Sequence, residues 1–362
     1  MIKNMSRKLA IVYASTDFDI KAIAEKAADG RAEICVIHPY TAMGLPIPDA
    51  KDGHQTTLGT QLTTESEFIH DAKIKKTEGV DLPDGIPTDA EALIGDLHPS
   101  HIALVPNVKW IQTSYAGVER LVPKLAEREG VTLTNASGSF GEGISEYLIM
   151  YMLMLQKRMQ EYLAQQAQHV WKSLPATPMV SGSTVTVIGL GDLGGTLARK
   201  LKALGATVRG VKRTSSAKPD CVDELYTTEQ LDDALNGADF VALCLPDTAD
   251  TQKILSRERI FALKKGAIIV NAGRGTAIDQ PALIDALREG RVCAGLDVTA
   301  PEPLPSDDAL WDAPNVIITP HISGPGANDF ATRYCVELFA RNIDAYLSGK
   351  PLENVVDLRL GY

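Results

Sequence analysis

An apolar run of strand-forming residues, Val185–Ile188, stops at Gly189-Leu-Gly-Asp-Leu-Gly194, and a helical pattern begins at once. Few short stretches constrain a fold this tightly. Gly189 permits the tight turn, and Gly191 puts no Cβ between the backbone and an approaching pyrophosphate. Gly194 lets the helix lie close on the strand, and the helix N-terminus turns free N–H groups toward negative charge. Glycines gather in any tight turn, so the spacing alone is weak. Here it lies between a strand and a helix, the context that a dinucleotide site requires. A purely structural turn is the alternative.

The chain around this motif keeps the same rhythm. Strands are predicted at Val185–Gly189, Thr207–Val211, Phe240–Leu245, Ala267–Asn271, Cys293–Asp297 and Val316–Thr319, with helical stretches between them and a shorter element at Asp223–Leu225. Such alternation builds right-handed βαβ units and a doubly wound parallel sheet. The first part of the chain alternates too. Strands are expected at Leu9–Ala14, Glu33–Ile37, Ala90–Ile94, Val108–Thr113 and Val131–Thr134. Helices are expected at Asp17–Ala28, capped by Thr16 or Asp17, and at Val118–Glu129. Between about 41 and 88 the pattern lapses into Gly, Pro, Thr, Lys and Asp, too long for a structureless loop in a compact domain, so an ordered insertion or lid is expected. Ser139 to about Gln168 reads as one long helix. Its apolar residues nearly encircle it, more than one buried stripe needs, and a homodimer built through this helix follows. Pro175 and Pro178 end the pattern, and Gly326–Leu347 reads as a last helix.

The length of 362 residues gives room for two domains. The expected architecture is α/β, with two doubly wound parallel-sheet, Rossmann-like domains and a cleft between them. A net charge of -10 without a Lys/Arg cluster argues against nucleic acid as a partner. The five cysteines are scattered without CxxC spacing, which suggests reduced thiols and no metal site. Leu9–Ala14 is too short for the apolar core of a signal peptide, and no apolar run reaches the roughly 18 residues of a membrane span. A cytoplasmic protein without a membrane partner is expected.

Ligands of open α/β sheets bind at the C-terminal strand ends, and three candidate groups for proton transfer stand there. Arg274 follows the strand Ala267–Asn271, with Ala272 and Gly273 beside it. Asp297 ends the next strand, and Glu302 lies in the proline-stiffened loop after it. His321 follows Val316–Thr319, a few residues before Gly324. Each alone is ordinary: an arginine is usually a surface ion pair and a lone histidine usually structural. Together they suffice for carbonyl reduction. Arginine holds the substrate, histidine donates a proton to the forming alkoxide, and glutamate keeps the imidazole charged. Where an NAD site would carry a carboxylate at the end of its second strand, this chain has Lys212, Arg213 and Thr214. Cationic donors there suit the 2′-phosphate of NADP, which is favoured over NAD. A solvated basic turn is the alternative.

The motifs in order are IGLGDLGG (188–195), LPDTADT (245–251), VNAGRG (270–275), GLDVTAPEPLP (295–305) and NVIITPHISG (315–324). From about Ala90 onward, roughly three quarters of the chain on this motif spacing, the sequence resembles the D-isomer-specific 2-hydroxyacid dehydrogenase family. The resemblance implies a substrate-binding domain from 1–138 plus 326–362 and a dinucleotide-binding domain from 139–325. Crossings near Gly138–Ser139 and Ser323–Gly326 would act as hinges. Arg274, Glu302 and His321 match the family's catalytic residues, and Asp297 the aspartate facing the nicotinamide carboxamide. Ala116 and Gly117 match the loop whose amides, with Arg274, take the substrate carboxylate. Gly189, Gly191, Asp192, Leu193, Gly194, Leu245, Pro246, Thr251, Ala272, Gly273, His321 and Gly324 fall among its cofactor contacts. The basic strand end is similar to the glyoxylate and hydroxypyruvate reductase branch. The implied activity is NADPH-dependent reduction of a small 2-oxo acid to the D-2-hydroxy acid. The alternatives are NAD-dependent oxidation of a D-2-hydroxy acid, a phosphonate or related dehydrogenase on the same frame, and a cofactor-sensing binding protein like the family's corepressor relatives.

Overall fold

The computed structural model describes residues 7–12, 19–37, 87–95, 102, 105–126, 128–175, 177–214, 217–324 and 329–362. The expected insertion at 41–88 therefore lies, but for its last two residues, outside the described residues, as do Thr16 and Asp17. The chain divides into two compact units, Met1–Ser139 with Pro325–Tyr362, and Phe140–Gly324. Among the described residues, no helix is long and apolar enough to cross a membrane.

The first unit holds β1 (Arg7–Val12), β2 (Ala32–Ile37), β3 (Ala92–Gly95), β4 (Trp110–Thr113) and β5 (Thr132–Thr134), hydrogen-bonded in the order β2-β1-β3-β4-β5. Every pair is parallel. Leu9 to Val12 and Ala92 to Ile94 are all buried, as expected of parallel strands covered on both faces. Helix α1 (Ile20–Ala28) is capped by Asp19, whose carboxylate accepts the Ala22 N–H at 3.0 Å. The helix expected at 118–129 shrinks to α2 (Val122–Leu125). Pro123 has no N–H to give to Glu119, so the ladder that the Val122 N–H begins on the Val118 carbonyl skips its next rung. The C-terminal helix, Asp329–Ser348, packs on α1. Its buried Asn342 donates to Gln112 Oε1 at 2.7 Å, where Thr134 Oγ1 also donates at 2.8 Å.

In the second unit the predicted single helix over 139–168 is two, α3 (Gly141–Gln156) and α4 (Met159–Ala167). Arg158 between them has φ 57°, a left-handed conformation that breaks the ladder. Its guanidinium then grips Glu161 through two bonds of 2.6 Å in the first turn of α4. The sequence has neither glycine nor proline at the break, so periodicity ran straight through it.

Seven parallel strands follow: β6 (Thr184–Ile188), β7 (Thr207–Lys212), β8 (Glu224–Thr227), β9 (Phe240–Leu243), β10 (Ala267–Asn271), β11 (Val292–Leu296) and β12 (Val316–Ile318). Their order is β12-β11-β10-β9-β6-β7-β8, so the winding of the chain across the sheet reverses between β6 and β9. Alternate residues feed two cores. Ile188, Leu243 and Ile269 face one side, and Val187, Ala242, Ile268 and Val270 the other. Helix α5 (Asp192–Ala203) lies over the second face beside α3. A Cβ on Gly194 would sit 1.8 Å from the Gly189 carbonyl oxygen. No other residue permits this helix–strand approach.

Candidate active site

The reversal between β6 and β9 opens a crevice at the C-terminal strand ends, the usual ligand position in open sheets. Gly189 turns the chain there with φ 93°, and a Cβ on it would strike the Cys244 carbonyl oxygen at 2.5 Å. Gly191 differs, because a Cβ built on it meets no atom within 4 Å. The turn is thus open on the side where a phosphate would approach, and Asp192 and Leu193 begin α5 with its N–H groups at the turn. These residues fit a dinucleotide pyrophosphate. The Asp192 carboxylate accepts the Gly141 N–H at 3.1 Å, fastening the turn to the start of α3. Leu245 and Pro246 follow β9, and Thr251 Oγ1 closes that loop by donating to the Pro246 carbonyl at 2.7 Å. Lys212 ends β7, with Arg213 and Thr214 exposed just beyond it.

The turn after β10 is clamped by a buried side chain. Asn271 Nδ2 donates to the Arg274 carbonyl at 2.9 Å, and Asn271 Oδ1 accepts the Gly273 N–H at 3.0 Å. The Arg274 guanidinium donates to the Gly273 carbonyl at 2.8 Å. Ala272 is buried beneath this turn. Beyond β11 and β12, Glu302 and His321 meet, with Glu302 Oε2 2.9 Å from His321 Nδ1. The other carboxylate oxygen of Glu302 accepts the Thr299 N–H at 3.0 Å. The hydrogen bond from Glu302 raises the His321 pKa above 6.5, against the opposing effects of burial and the Arg274 charge. Burial pushes Glu302 upward, but the bond and charge of His321, the Thr299 N–H and the Arg274 charge together hold it below its ordinary value. Arg274 therefore stands near enough to bias both members of the pair.

Asp297 is 1 % exposed and has no spare acceptor capacity. Its Oδ1 accepts from Thr319 Oγ1 at 2.5 Å and the Ile322 N–H at 3.0 Å. Its Oδ2 accepts the Ser323 N–H at 3.0 Å and the Ser323 hydroxyl at 2.5 Å. Where the resemblance implies a contact to the nicotinamide carboxamide, the structure gives each oxygen two protein donors. Thr319, Ser323 and Asn271 lie within the motifs at 315–324 and 270–275, but the motifs alone assign none of them a part in holding a functional side chain. Gly324 is buried at the end of this turn. In the first unit, Ala116 and Gly117 lie exposed after β4, with the Ala116 carbonyl accepting from Asn135 Nδ2 at 2.9 Å.

A parallel sheet with a glycine turn at its reversal and polar groups at neighbouring strand ends defines a dinucleotide-binding α/β unit. The profile of the D-isomer specific 2-hydroxyacid dehydrogenase NAD binding domain matches residues 149–323. The glyoxylate reductase of Korarchaeum cryptofilum is 30% identical over 70% of this chain and 77% of its own length. The D-3-phosphoglycerate dehydrogenase of Mycobacterium leprae is 34% identical over 62% of this chain, which spans only 43% of that protein. A D-isomer specific 2-hydroxyacid dehydrogenase from Xanthobacter autotrophicus Py2, solved with NADPH and MES, superimposes with a TM-score of 0.75 at 26% identity. That likeness covers 99% of this chain and 100% of the other. The chain belongs to the D-isomer specific 2-hydroxyacid dehydrogenase family and is an NAD(P)-dependent oxidoreductase.

The paired shifts fix the sign of a pH effect. The charged pair is complete once Glu302 is ionised, and it is lost as pH rises through the raised His321 value. An NMR titration of the His321 ring should show a midpoint above 6.5. Glu302→Gln should bring that midpoint down, because burial and Arg274 are then opposed by the smaller effect of the Asp297 charge alone. An unchanged midpoint would show that the pair does not set the imidazole charge.

Proposed function

We propose that this protein reduces a small 2-oxo acid of the glyoxylate or hydroxypyruvate type to the D-2-hydroxy acid, with NADPH as donor. The observation that carries the reading is the Glu302–His321 pair, whose imidazole keeps its proton above the ordinary histidine value, beside the charge of Arg274. When bound, the nicotinamide supplies the hydride. His321 gives its proton to the forming alkoxide, and Glu302 stabilises the imidazolium before that transfer. Arg274 binds the substrate carboxylate or carbonyl, and its rigid fork suits a planar anion. Ala116 and Gly117 of the first unit keep the part the resemblance implies, as backbone donors to a carboxylate. The glyoxylate reductase among the relatives supports the substrate class.

NADPH is favoured over NADH because Lys212, Arg213 and Thr214 stand where a carboxylate would repel a 2′-phosphate. The NADPH held by the Xanthobacter relative supports this choice. A panel of 2-oxo acids assayed with both reduced cofactors, and of D-2-hydroxy acids with both oxidised ones, tests the reading. Small 2-oxo acids with NADPH should give the highest kcat/KM, by about 100-fold over NADH if two charge-assisted bonds hold the phosphate. Arg213→Asp should invert that preference. Equal kcat/KM for NADH and NADPH would remove the cofactor assignment. Tight cofactor binding with no turnover of any acid would leave a cofactor-sensing protein instead.

We also propose a homodimer through α3 and α4. Met150, Leu153 and Met159 line an apolar surface depression with Ile149 and Met154, and they and Leu163 of α4 are between 37% and 49% exposed. Surfaces of this kind mark protein–protein contacts. Met152, by contrast, is fully buried in the unit's own core, so charge there would unfold the protein rather than split a dimer. Leu153→Asp should convert a dimeric mass in light scattering to a monomeric one while the thermal midpoint stays nearly constant. A monomeric wild type at micromolar concentration would refute the dimer.

A further inference from the structure

The turn carrying His321 is fastened at an unusual number of points. His321 itself adopts φ 53°, a left-handed conformation that a non-glycine residue keeps only when its surroundings impose it. Its N–H donates to the Asp297 carbonyl at 2.9 Å, and the next two N–H groups donate to the Asp297 carboxylate. The residue two before it, Thr319, touches two groups with one oxygen. Thr319 Oγ1 is 2.5 Å from Asp297 Oδ1 and 2.5 Å from the Tyr151 hydroxyl. A hydroxyl has one proton. Thr319 gives it to Asp297, so in the second bond Tyr151 donates and Thr319 accepts.

Tyr151 comes from the middle of α3 and is fully buried. It comes so close to β11 that a Cβ on Gly295 would stand 2.5 Å from the Tyr151 Cβ and 2.7 Å from the Cγ of its ring. The missing side chain at Gly295 is what admits the ring, and the ring sets the reach of the hydroxyl. Burial keeps the Tyr151 phenol well above its ordinary value, so the donor proton is retained at every pH at which the protein would work.

Buried tyrosines generally find some partner for their hydroxyl. What distinguishes this one is that its partner, Thr319, ties the turn bearing His321 to Asp297. We infer that Tyr151 is a positioning residue: its hydroxyl fixes Thr319 on Asp297 and, through the 319–323 turn, holds the His321 ring against Glu302. The inference rests on the reading of His321 as the acid. Charged groups facing His321 in this unit are Glu302 and Asp297 after β11 and Arg274 after β10. The bond to Glu302 does most to keep the imidazole protonated. Loosening the turn weakens that bond and leaves burial and Arg274 to pull the imidazole down.

The test compares wild type, Tyr151→Phe, Thr319→Val, Thr319→Ser and His321→Ala in three measurements. These are kcat for 2-oxo acid reduction across pH, NADPH affinity by fluorescence titration, and the His321 ring midpoint by NMR. Tyr151→Phe should lower kcat about threefold to tenfold, the worth of one hydrogen bond. It should also move the alkaline limb and the ring midpoint down by roughly half a pH unit, with NADPH affinity within about twofold of wild type. Thr319→Val should move both in the same direction, and Thr319→Ser, which keeps the hydroxyl, should restore them. A limb and midpoint at the wild-type pH in both Tyr151→Phe and Thr319→Val would overturn the inference. If Tyr151→Phe fails to fold, the Val and Ser variants of Thr319 decide by the same criterion. His321→Ala should lose about 10²–10⁴ in turnover. Full turnover in that variant would remove the acid assignment itself, and the NMR midpoint would still report whether Tyr151 holds the ring.

Discussion

The carboxylate of Asp297 is the fixed point from which the polar end of the second unit is organised. A buried carboxylate is costly unless its acceptor sites are filled, and here two hydroxyls and two backbone N–H groups fill them. All four donors come from the segment 319–323 on either side of His321, and one of them, the Thr319 hydroxyl, is backed by Tyr151. Satisfying the charge and presenting the imidazole are thus one structural event. An apolar residue at 297 would leave this turn without the acceptors that shape it.

The same economy governs the rest of the strand ends. Parallel strands leave their C-terminal carbonyls and following turns on one edge, so each turn in this sheet can contribute one functional group. Asn271 clamps the turn of Arg274 with two bonds to backbone, and Thr299 holds Glu302 through its N–H. The Glu302–His321 pair is itself part exposed, with side chains at 33% and 44%. Pairs that wet contribute little to folding. Its consequence lies in the charge state of the imidazole, where a modest bias matters because histidine titrates near neutrality.

Much of this was legible in the sequence, and the reasons differ by element. The strands of the second unit read clearly because apolar runs bounded by glycine and polar turns admit few other structures. Gly189 and Gly194 read as a tight turn and a close packing because the motif's spacing encodes both, and the distances to the Cys244 and Gly189 carbonyls show why. The break at Arg158 was invisible, since no breaker residue marks it and an ion pair to Glu161 closes it locally. The short α2 could have been foreseen from Pro123. Tyr151 and Thr319 were beyond reach for another reason. They lie 168 residues apart, and only the packing of α3 over β11 joins them. Met152 and Leu153, adjacent in sequence, differ wholly in burial, and helical phase separates them only once the neighbouring strand is known.

The charge balance makes a last demand on this architecture. The chain carries a net charge of -10, yet its proposed ligands are a dinucleotide and a carboxylate, all anionic. At physiological ionic strength, charges farther than about 8 Å are largely screened, so the distant acidic surface weighs little once an anion reaches the strand ends. What it meets there is local: the N–H groups that open α5, the cationic side chains at the end of β7, and the guanidinium of Arg274. The nearby carboxylates are already engaged. Asp192 accepts from Gly141, Asp297 holds its four donors, and Glu302 is paired with an imidazole whose pKa it raises. These three acids are thereby turned to holding backbone and hydroxyl donors or to sustaining a positive partner, which lets an acidic protein offer anions a favourable edge.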